Sequence, residues 1–365
     1  MLAEHPITDR LVQISHQLFT VKKRVPLTIS RGTNSESTNL WLRVADPHIH
    51  PDIEGWGEAV PFSIGSHRQN LDEFQAAAQF LAKQLKPLHP FERQKIENLV
   101  QEYALPSAIR AALDVALWDW WGKYLQQPLW RIWGLDLDQI TSTSVTIGIS
   151  SPAAAQKRLQ DWLQQTSALA VKVKLGSPNG IAADKAMFQA IFDQTPSTVS
   201  LSVDANGGWS LENAIEMAEW LASRRVTHLE QPLPVEQNNQ LKSLKSQSSL
   251  PIFVDESCFS SRDIPLLKDS VNGINIKLMK AGGLTETLKM IHTARACGLQ
   301  VMFGCYSDST LSNTAMAHLS PLADYLDLDS HLNLKADPFT GATLQNGKLI
   351  PPSQPGLGLT HHVPE

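Results

Sequence analysis

The chain has 365 residues, 42% of them hydrophobic and 18% charged, which is enough apolar material for a sizeable core and more length than one average domain needs. Its formal charge of −5 argues against nucleic acid or an anionic membrane surface as partner. No apolar run reaches the length of a bilayer span, and three cysteines (Cys258, Cys297 and Cys305) lack CxxC spacing and cannot all pair, which points to a reducing, cytoplasmic setting.

The opening MLAEHPITDR carries acidic residues and no apolar core, so no secretory leader is expected. The alternating runs LVQISHQLF and LWLRVAD then predict a small antiparallel sheet. DEFQAAAQFLAKQL and SAIRAALDVALWDWWGKYL predict two helices after it, with Trp118, Trp120 and Trp121 as packing residues. This is an α+β pattern, and it defines a separate N-terminal domain over residues 1–138.

A different rhythm begins near Thr141. A short β-branched run ends in a polar or charged residue, and a helical stretch follows it. The runs are TSVTIGIS, LAVKVKLG, VSLSVDANGG, VTHLEQP, PIFVDES, GINIKLMKAGG, LQVMFGCYSD and YLDLDS. The charges ending the second to sixth runs are spaced by 30, 26, 25 and 22 residues, the length of a strand, a helix and two loops. Between the runs, Ser210 is placed to cap one helix and Gly298 to end another. Eight strands alternating with helices predict an α/β fold, a (β/α)8 barrel over residues 139–344, with a doubly wound open sheet as the alternative. The irregular tail, about residues 345–365, is expected to pack back on the N-terminal domain.

Lys172 and Lys174 lie two apart in a strand and share a face. An isolated V-K-V-K would read as an exposed edge, but in a series covered by helices that face is the barrel interior. Two buried ammonium groups need compensating anions. Asp204, Glu230 and Asp255 end the next three strands, so in a barrel they converge at the C-terminal rim. Three unpaired carboxylates there repel one another, and a hard divalent cation such as Mg²⁺ resolves that, one ion per chain. Lys277 ends the strand after them, on the far side from Lys174. A lysine on each side of a metal centre is a layout for abstracting a proton beside a carboxylate, with nearby positive charge lowering the lysine pKa.

These residues resemble the enolase superfamily in its muconate-lactonizing-enzyme subgroup. The K-x-K of Lys172 and Lys174, the D-x-N of Asp204 and Asn206, the E-Q-P of Glu230, the D-E-S of Asp255 and the N-x-K of Lys277 match in order and spacing. GWGEAVPF and AALDVALWDWWGKYLQQPLWRIWG resemble that subgroup's N-terminal capping domain. Such enzymes use a lysine or histidine base with Mg²⁺. The D-L-D of Asp327 and Asp329 is similar to the pair that dipeptide epimerases use to hold a substrate α-ammonium group. The resemblance further implies substrate contacts at Thr146, Lys172, Cys305 and Ser307. It also implies that Arg31 meets a glutamate side chain, as in L-Ala-D/L-Glu epimerisation. Ser307 and Asp308 depart from that pattern and could favour a basic or polar second residue instead.

The expected activity is therefore Mg²⁺-dependent epimerisation at the α-carbon of the C-terminal residue of a dipeptide, with L-Ala-D/L-Glu as the favoured substrate, by a cytoplasmic isomerase, as a single chain or an assembly of identical ones. The alternatives are another dipeptide with a basic or apolar second residue, an o-succinylbenzoate synthase or N-acylamino-acid racemase, a muconate cycloisomerase, and a metal-binding barrel without catalysis. A free substrate ammonium separates the dipeptide reading from the acylated substrates, and the opposed lysines would be idle in a metal-dependent hydrolase.

Overall fold

Period-two alternation at the start of the chain builds a three-stranded antiparallel sheet of β1 (Gln13–Ile29), β2 (Gly32–Asp46) and β3 (His50–Ala59). The computed structural model describes residues 12–47, 50–65 and 67–362, so the reading of MLAEHPITDR lies outside the described residues. On β2, Leu40, Leu42 and Val44 point to one face and are buried. A short hairpin, β4 (Phe62–Ile64) and β5 (His67–Gln69), leads to α1 (Leu71–Gln84), α2 (Arg93–Glu102), α3 (Ser107–Tyr124) and α4 (Leu129–Ile132). Asn70 opens α1 with a capping box to Glu73.

The helix α3 packs on β3 almost backbone to backbone. A Cβ on Gly57 would fall 1.8 Å from the carbonyl oxygen of Ala112, and one on Gly55 would fall 1.9 Å from that of Ala116. Only glycine fits, which explains the G-W-G of this strand. Trp120 is fully buried, packed among His89, Phe91 and Tyr124.

The barrel follows as β6 (Ser144–Ile147), α5 (Pro152–Gln165), β7 (Ala170–Lys174), α6 (Ile181–Phe192), β8 (Ser200–Asp204), α7 (Leu211–Ala222), β9 (Val226–Glu230), α8 (Leu241–Gln247) and β10 (Ile252–Val254). It continues with α9 (Ile264–Leu267), β11 (Gly273–Lys277), α10 (Leu278–Ala281), α11 (Leu284–Ala296), β12 (Gln300–Gly304), α12 (Thr310–Ala317) and β13 (Tyr325–Leu326). Each strand pairs in parallel with its sequence neighbour. The ring closes through a bridge between Thr143 and Leu326 and a hydrogen bond of 2.9 Å from the Leu328 amide to the Thr143 hydroxyl. The arrangement is the (β/α)8 barrel, and the open doubly wound sheet is excluded. Ser210 caps α7 and Gly298, at φ 72°, follows α11.

Beyond β13, β14 (Phe339–Thr340) pairs with β17 (Thr360–His361), and β15 (Thr343–Gln345) with β16 (Lys348–Ile350). The His361 ring lies 4.8 Å from that of Trp56, and the Leu357 amide donates to Asp119 Oδ1 of α3 at 2.8 Å. The end of the chain is thus seated on the N-terminal sheet and helix. No helix among the described residues is long and apolar enough to cross a membrane.

Because α3 has no room to retreat, Gly57→Ala is expected to destabilise the protein by about 1–3 kcal/mol, seen as a lower denaturant midpoint. An unchanged midpoint would show that strand and helix separate without cost.

Candidate active site

Strand register brings the charged residues to one level. Lys174 lies opposite Asp204, Asp204 opposite Glu230, and Phe253, two residues before Asp255, opposite Glu230 as well. Lys172 pairs with Thr146 on one side and Ser202 on the other. Lys277 ends β11 beside Gly304, where any Cβ would meet the Lys277 side chain at 3.0 Å. A glycine at this point leaves the lysine its path into the barrel mouth.

Lys172 is completely buried and touches three carboxylates: Glu230 at 2.5 Å, Asp327 at 2.7 Å and Asp204 at 3.6 Å. Burial opposes its charge, but these anions raise its pKa well above the ordinary lysine value. Lys174 pairs with Asp204 at 2.5 Å, and Lys277 with Asp255 at 2.7 Å. The two lysines therefore flank the acidic centre from opposite sides. Burial also works against the charge of Lys277, yet Asp255 and Glu230 hold its pKa above the usual range. For Lys277 this differs from the sequence expectation of a lowered value, because as the groups stand it has Asp255 as its own carboxylate.

Among the carboxyl groups, Asp204 and Asp255 are held below their ordinary values by the lysines despite burial. Glu230 is instead pushed up to about 7, by burial and then by Asp204. Its Oε1 accepts from Asn275 at 2.7 Å, whereas Oε2 is in charge contact with Lys172 without accepting a hydrogen bond.

As they stand, no three His, Cys, Asp or Glu side chains among the described residues are arranged around a common metal position. Lysine ammonium groups lie between the carboxylates instead. The donor set nevertheless suits a hard cation: Asp204, Glu230 and Asp255 are oxygen donors on consecutive strands. Asn206 Oδ1 and Glu256 Oε2 are buried acceptors without a hydrogen-bond partner, and Glu230 Oε2 meets the Lys172 ammonium without accepting a hydrogen bond. Mg²⁺ held by Asp204, Glu230 and Asp255 fits these residues once the lysines give way.

Asp327 and Asp329 stand across Lys172 from the acidic triplet. Asp327 accepts from Lys172 at 2.7 Å, Ser144 at 2.7 Å and Thr146 Oγ1 at 3.2 Å, and Asp329 accepts from the Thr146 amide at 2.6 Å. The Asp327 carboxyl is held down to about 2 by Lys172 against the effect of burial, while Asp329 is pushed up to about 7 by burial and then by Asp327. The Cys305 thiol donates to the Asp327 carbonyl at 3.2 Å, and burial keeps it protonated.

Arg31, in the β1–β2 turn, reaches over the barrel mouth. Its guanidinium is engaged by Glu256 at 2.7 Å and by the Asn206 carbonyl at 3.1 Å, so it does not stand free to meet a substrate carboxylate. Ser307 accepts from Lys23 of β1 at 2.7 Å. Phe62 stacks on Tyr306 at 5.1 Å, and Lys277 sits 4.7 Å from that tyrosine ring. Leu27, Ile29, Pro61 and Phe62 from the N-terminal unit complete with Lys174, Lys277, Cys305 and Tyr306 a chamber of about 410 Å³.

Three residues of this centre escaped sequence reasoning: Lys23, Glu256 and Lys280; Tyr306 falls within the stretch from Cys305 to Ser307 that the resemblance places against the substrate. Lys280 is buried and donates to the Asp255 carboxylate and to the Cys258 carbonyl at 3.0 Å, anchoring Asp255 from behind. The signal for it was a lysine within an apolar run. For Lys23 it was the strand alternation, which places it on the same face as the buried Val21.

Removing Lys172 leaves Asp204, Glu230 and Asp327 buried without their common cation. Lys172→Met is expected to cost about 3–5 kcal/mol of stability in EDTA, with part of the loss restored by Mg²⁺. Denaturant unfolding with and without the ion checks this, and a loss below about 1 kcal/mol would refute the role as hub.

The chain matches two family descriptions: "Mandelate racemase / muconate lactonizing enzyme, N-terminal domain" over residues 13–134, and "Enolase C-terminal domain-like" over residues 154–364. A hydrophobic dipeptide epimerase of Flavobacteria bacterium (strain MS024-2A) is 43% identical over 341 residues, 93% of this chain and 95% of that protein. An L-Ala-D/L-Glu epimerase of Bacteroides thetaiotaomicron is 35% identical over 329 residues, 87% of this chain and 82% of that one. The dipeptide epimerase of Enterococcus faecalis V583, solved as a complex with Mg and L-Leu-L-Tyr, superposes with a TM-score of 0.88 at 30% identity, covering 96% of this chain and 100% of that one. With this site on this barrel, the chain belongs to the mandelate racemase/muconate lactonizing enzyme family of the enolase superfamily, and within it to the dipeptide epimerases.

Proposed function

We propose that this protein is a cytoplasmic, Mg²⁺-dependent epimerase that inverts the α-carbon of the second residue of a dipeptide, and that this residue is apolar. The observation that carries the reading is the placement of Lys174 and Lys277 on opposite sides of the Asp204–Glu230–Asp255 centre, with Asp327 and Asp329 beyond Lys172. Epimerisation needs one proton to leave one face of a carbon and another to arrive on the opposite face. A substrate held at both ends cannot turn over to offer both faces to one base.

Asp327 and Asp329 are suited to hold the substrate's α-ammonium, two carboxylates facing one cation. Asp204, Glu230 and Asp255 would hold Mg²⁺, which supplies positive charge to stabilise the negative charge gathering on the substrate carboxylate as the α-proton leaves. Lys174 and Lys277 each give or take a proton on one face. To act as bases they must lose the carboxylate contacts they now make with Asp204 and Asp255. Lys172 has no proton to move in this scheme: its three carboxylates keep it charged, and it positions Asp327 and Glu230. The stacked pair Phe62 and Tyr306 limits water at the reacting carbon. Three unpaired cysteines are consistent with a reducing cytoplasm.

The sequence resemblance favoured glutamate as second residue through Arg31. Engagement of Arg31 by Glu256, and the apolar chamber wall of Leu27, Ile29, Pro61 and Phe62, support an apolar side chain instead. The protein is expected to turn over L-Ala-L-Leu at least tenfold faster in kcat/KM than L-Ala-L-Glu. Preference for the glutamyl dipeptide would mean that Arg31 leaves Glu256 for the substrate.

The two-base scheme is tested in D₂O. Lys174→Ala should abolish net epimerisation of both diastereomers, while the α-proton of one still exchanges with retention. Lys277→Ala should confine exchange to the other diastereomer. A Lys277 variant that epimerises at near-parental rate would rule out one base per face. EDTA should silence both activities and Mg²⁺ restore them.

A further inference from the structure

Lys23 has no part in that chemistry, yet it is 93% buried at the edge of the chamber, with only 7% of its surface exposed. It enters the barrel mouth from β1, which is fixed there by the loop after β13. The Lys335 amide donates to the Lys22 carbonyl at 2.8 Å, and Asn333 donates to the Val25 carbonyl at 2.7 Å. The ammonium group is therefore held in place rather than swinging in solvent.

Its partners are neutral. Nζ donates to the Asn34 amide oxygen and to Ser307 Oγ, and no carboxylate lies within ion-pair distance among the described residues. An ammonium carries three N–H donors and no acceptor, so one donor is left over. Asp308, a buried acid that acts on Lys23 through its charge, does not supply a firm counter-charge: burial and then Glu58 push its carboxyl up to about 8. Burial brings Lys23 itself down to about 8, which leaves it largely protonated at neutral pH. A buried cation without an anion is costly, and at a ligand site the missing anion can come with the ligand.

Its position says which part of the ligand. Lys23 borders two connected spaces: a small one with Thr146, Asp327 and Asp329, and the larger chamber with Lys174 and Lys277. In the dipeptide reading the first residue's ammonium lies in the former and the second residue's α-carbon in the latter, so the first side chain departs between them. We infer that Lys23 is a specificity-determining residue that reads the first residue of the dipeptide and favours an acidic side chain there. This inference rests on the proposed epimerase activity and concerns the opposite end of the substrate from the apolar second residue.

The test compares L-Glu-L-Leu, L-Gln-L-Leu and L-Met-L-Leu, three substrates of similar size, by kcat/KM for α-deuterium uptake at the leucine in D₂O with Mg²⁺. One charge-assisted hydrogen bond predicts that the unmodified protein favours the glutamyl over the methionyl dipeptide by about 10- to 100-fold, with the glutaminyl dipeptide between. Lys23→Met should collapse that ratio, and Lys23→Arg should preserve it. Equal or better turnover of the methionyl dipeptide by the unmodified protein overturns the inference without any variant having to fold, and so does a ratio that Lys23→Met leaves intact. Uptake into all three without preference sinks this assignment alone. Absence of uptake from any dipeptide sinks the epimerase reading, and the inference with it.

Discussion

A single ammonium group surrounded by carboxylates organises the centre of this protein. Lys172 lies fully buried and joins Asp204 of β8, Glu230 of β9 and Asp327, which directly follows β13. Without it these acids would have to protonate or move apart, since like charges at such distances in a poorly hydrated interior repel by several kcal/mol. The other buried pairs extend the same arrangement outward, Lys174 to Asp204 on one side, and Lys277 and Lys280 to Asp255 on the other. Positive and negative charges alternate along the rim, and a divalent cation entering among them exchanges with ammonium groups already in place.

This alternation explains why the carboxyl groups behave differently although they are near neighbours. Asp204, Asp255 and Asp327 each accept from a lysine and stay ionised. Glu230 and Asp329 are pushed up to about 7, first by burial and then by Asp204 and Asp327 respectively, although Lys172 lies 2.5 Å from Glu230. The unequal pairing follows from strand register. A lysine at the end of β7 lies opposite Asp204, while Glu230 has Asn275 as its hydrogen-bond donor on β11.

The barrel was legible because its signal is repetitive: eight β-branched runs at helix-plus-strand spacing leave few other folds. The ionic centre was legible because charges ending consecutive buried strands must converge at one rim. What stayed hidden depended on contacts between the two halves of the chain. V-K-K-R reads as a solvated run, and only docking of β1 on the loop after β13 buries Lys23. Arg31 looked free because its partner, Glu256, lies more than 200 residues away and has no periodic signature. β13 keeps only Tyr325 and Leu326 in regular strand form, and ring closure rests on Thr143, a pairing no local pattern announces.

The close seating of α3 on β3, through Gly55 and Gly57, has a consequence for how such an enzyme can diversify. It ties the body of the N-terminal sheet rigidly to its helix, while the turn between β1 and β2 projects from that sheet over the reaction chamber. The lysines and carboxylates of the ionic centre reside at the ends of the barrel strands, where nearly every charge has several dependants. Leu27, Ile29 and Arg31, which line the chamber from the N-terminal unit, reside on or beside a protruding hairpin. Substitution there can reshape the range of accepted molecules while the ancestral reaction is inherited unchanged.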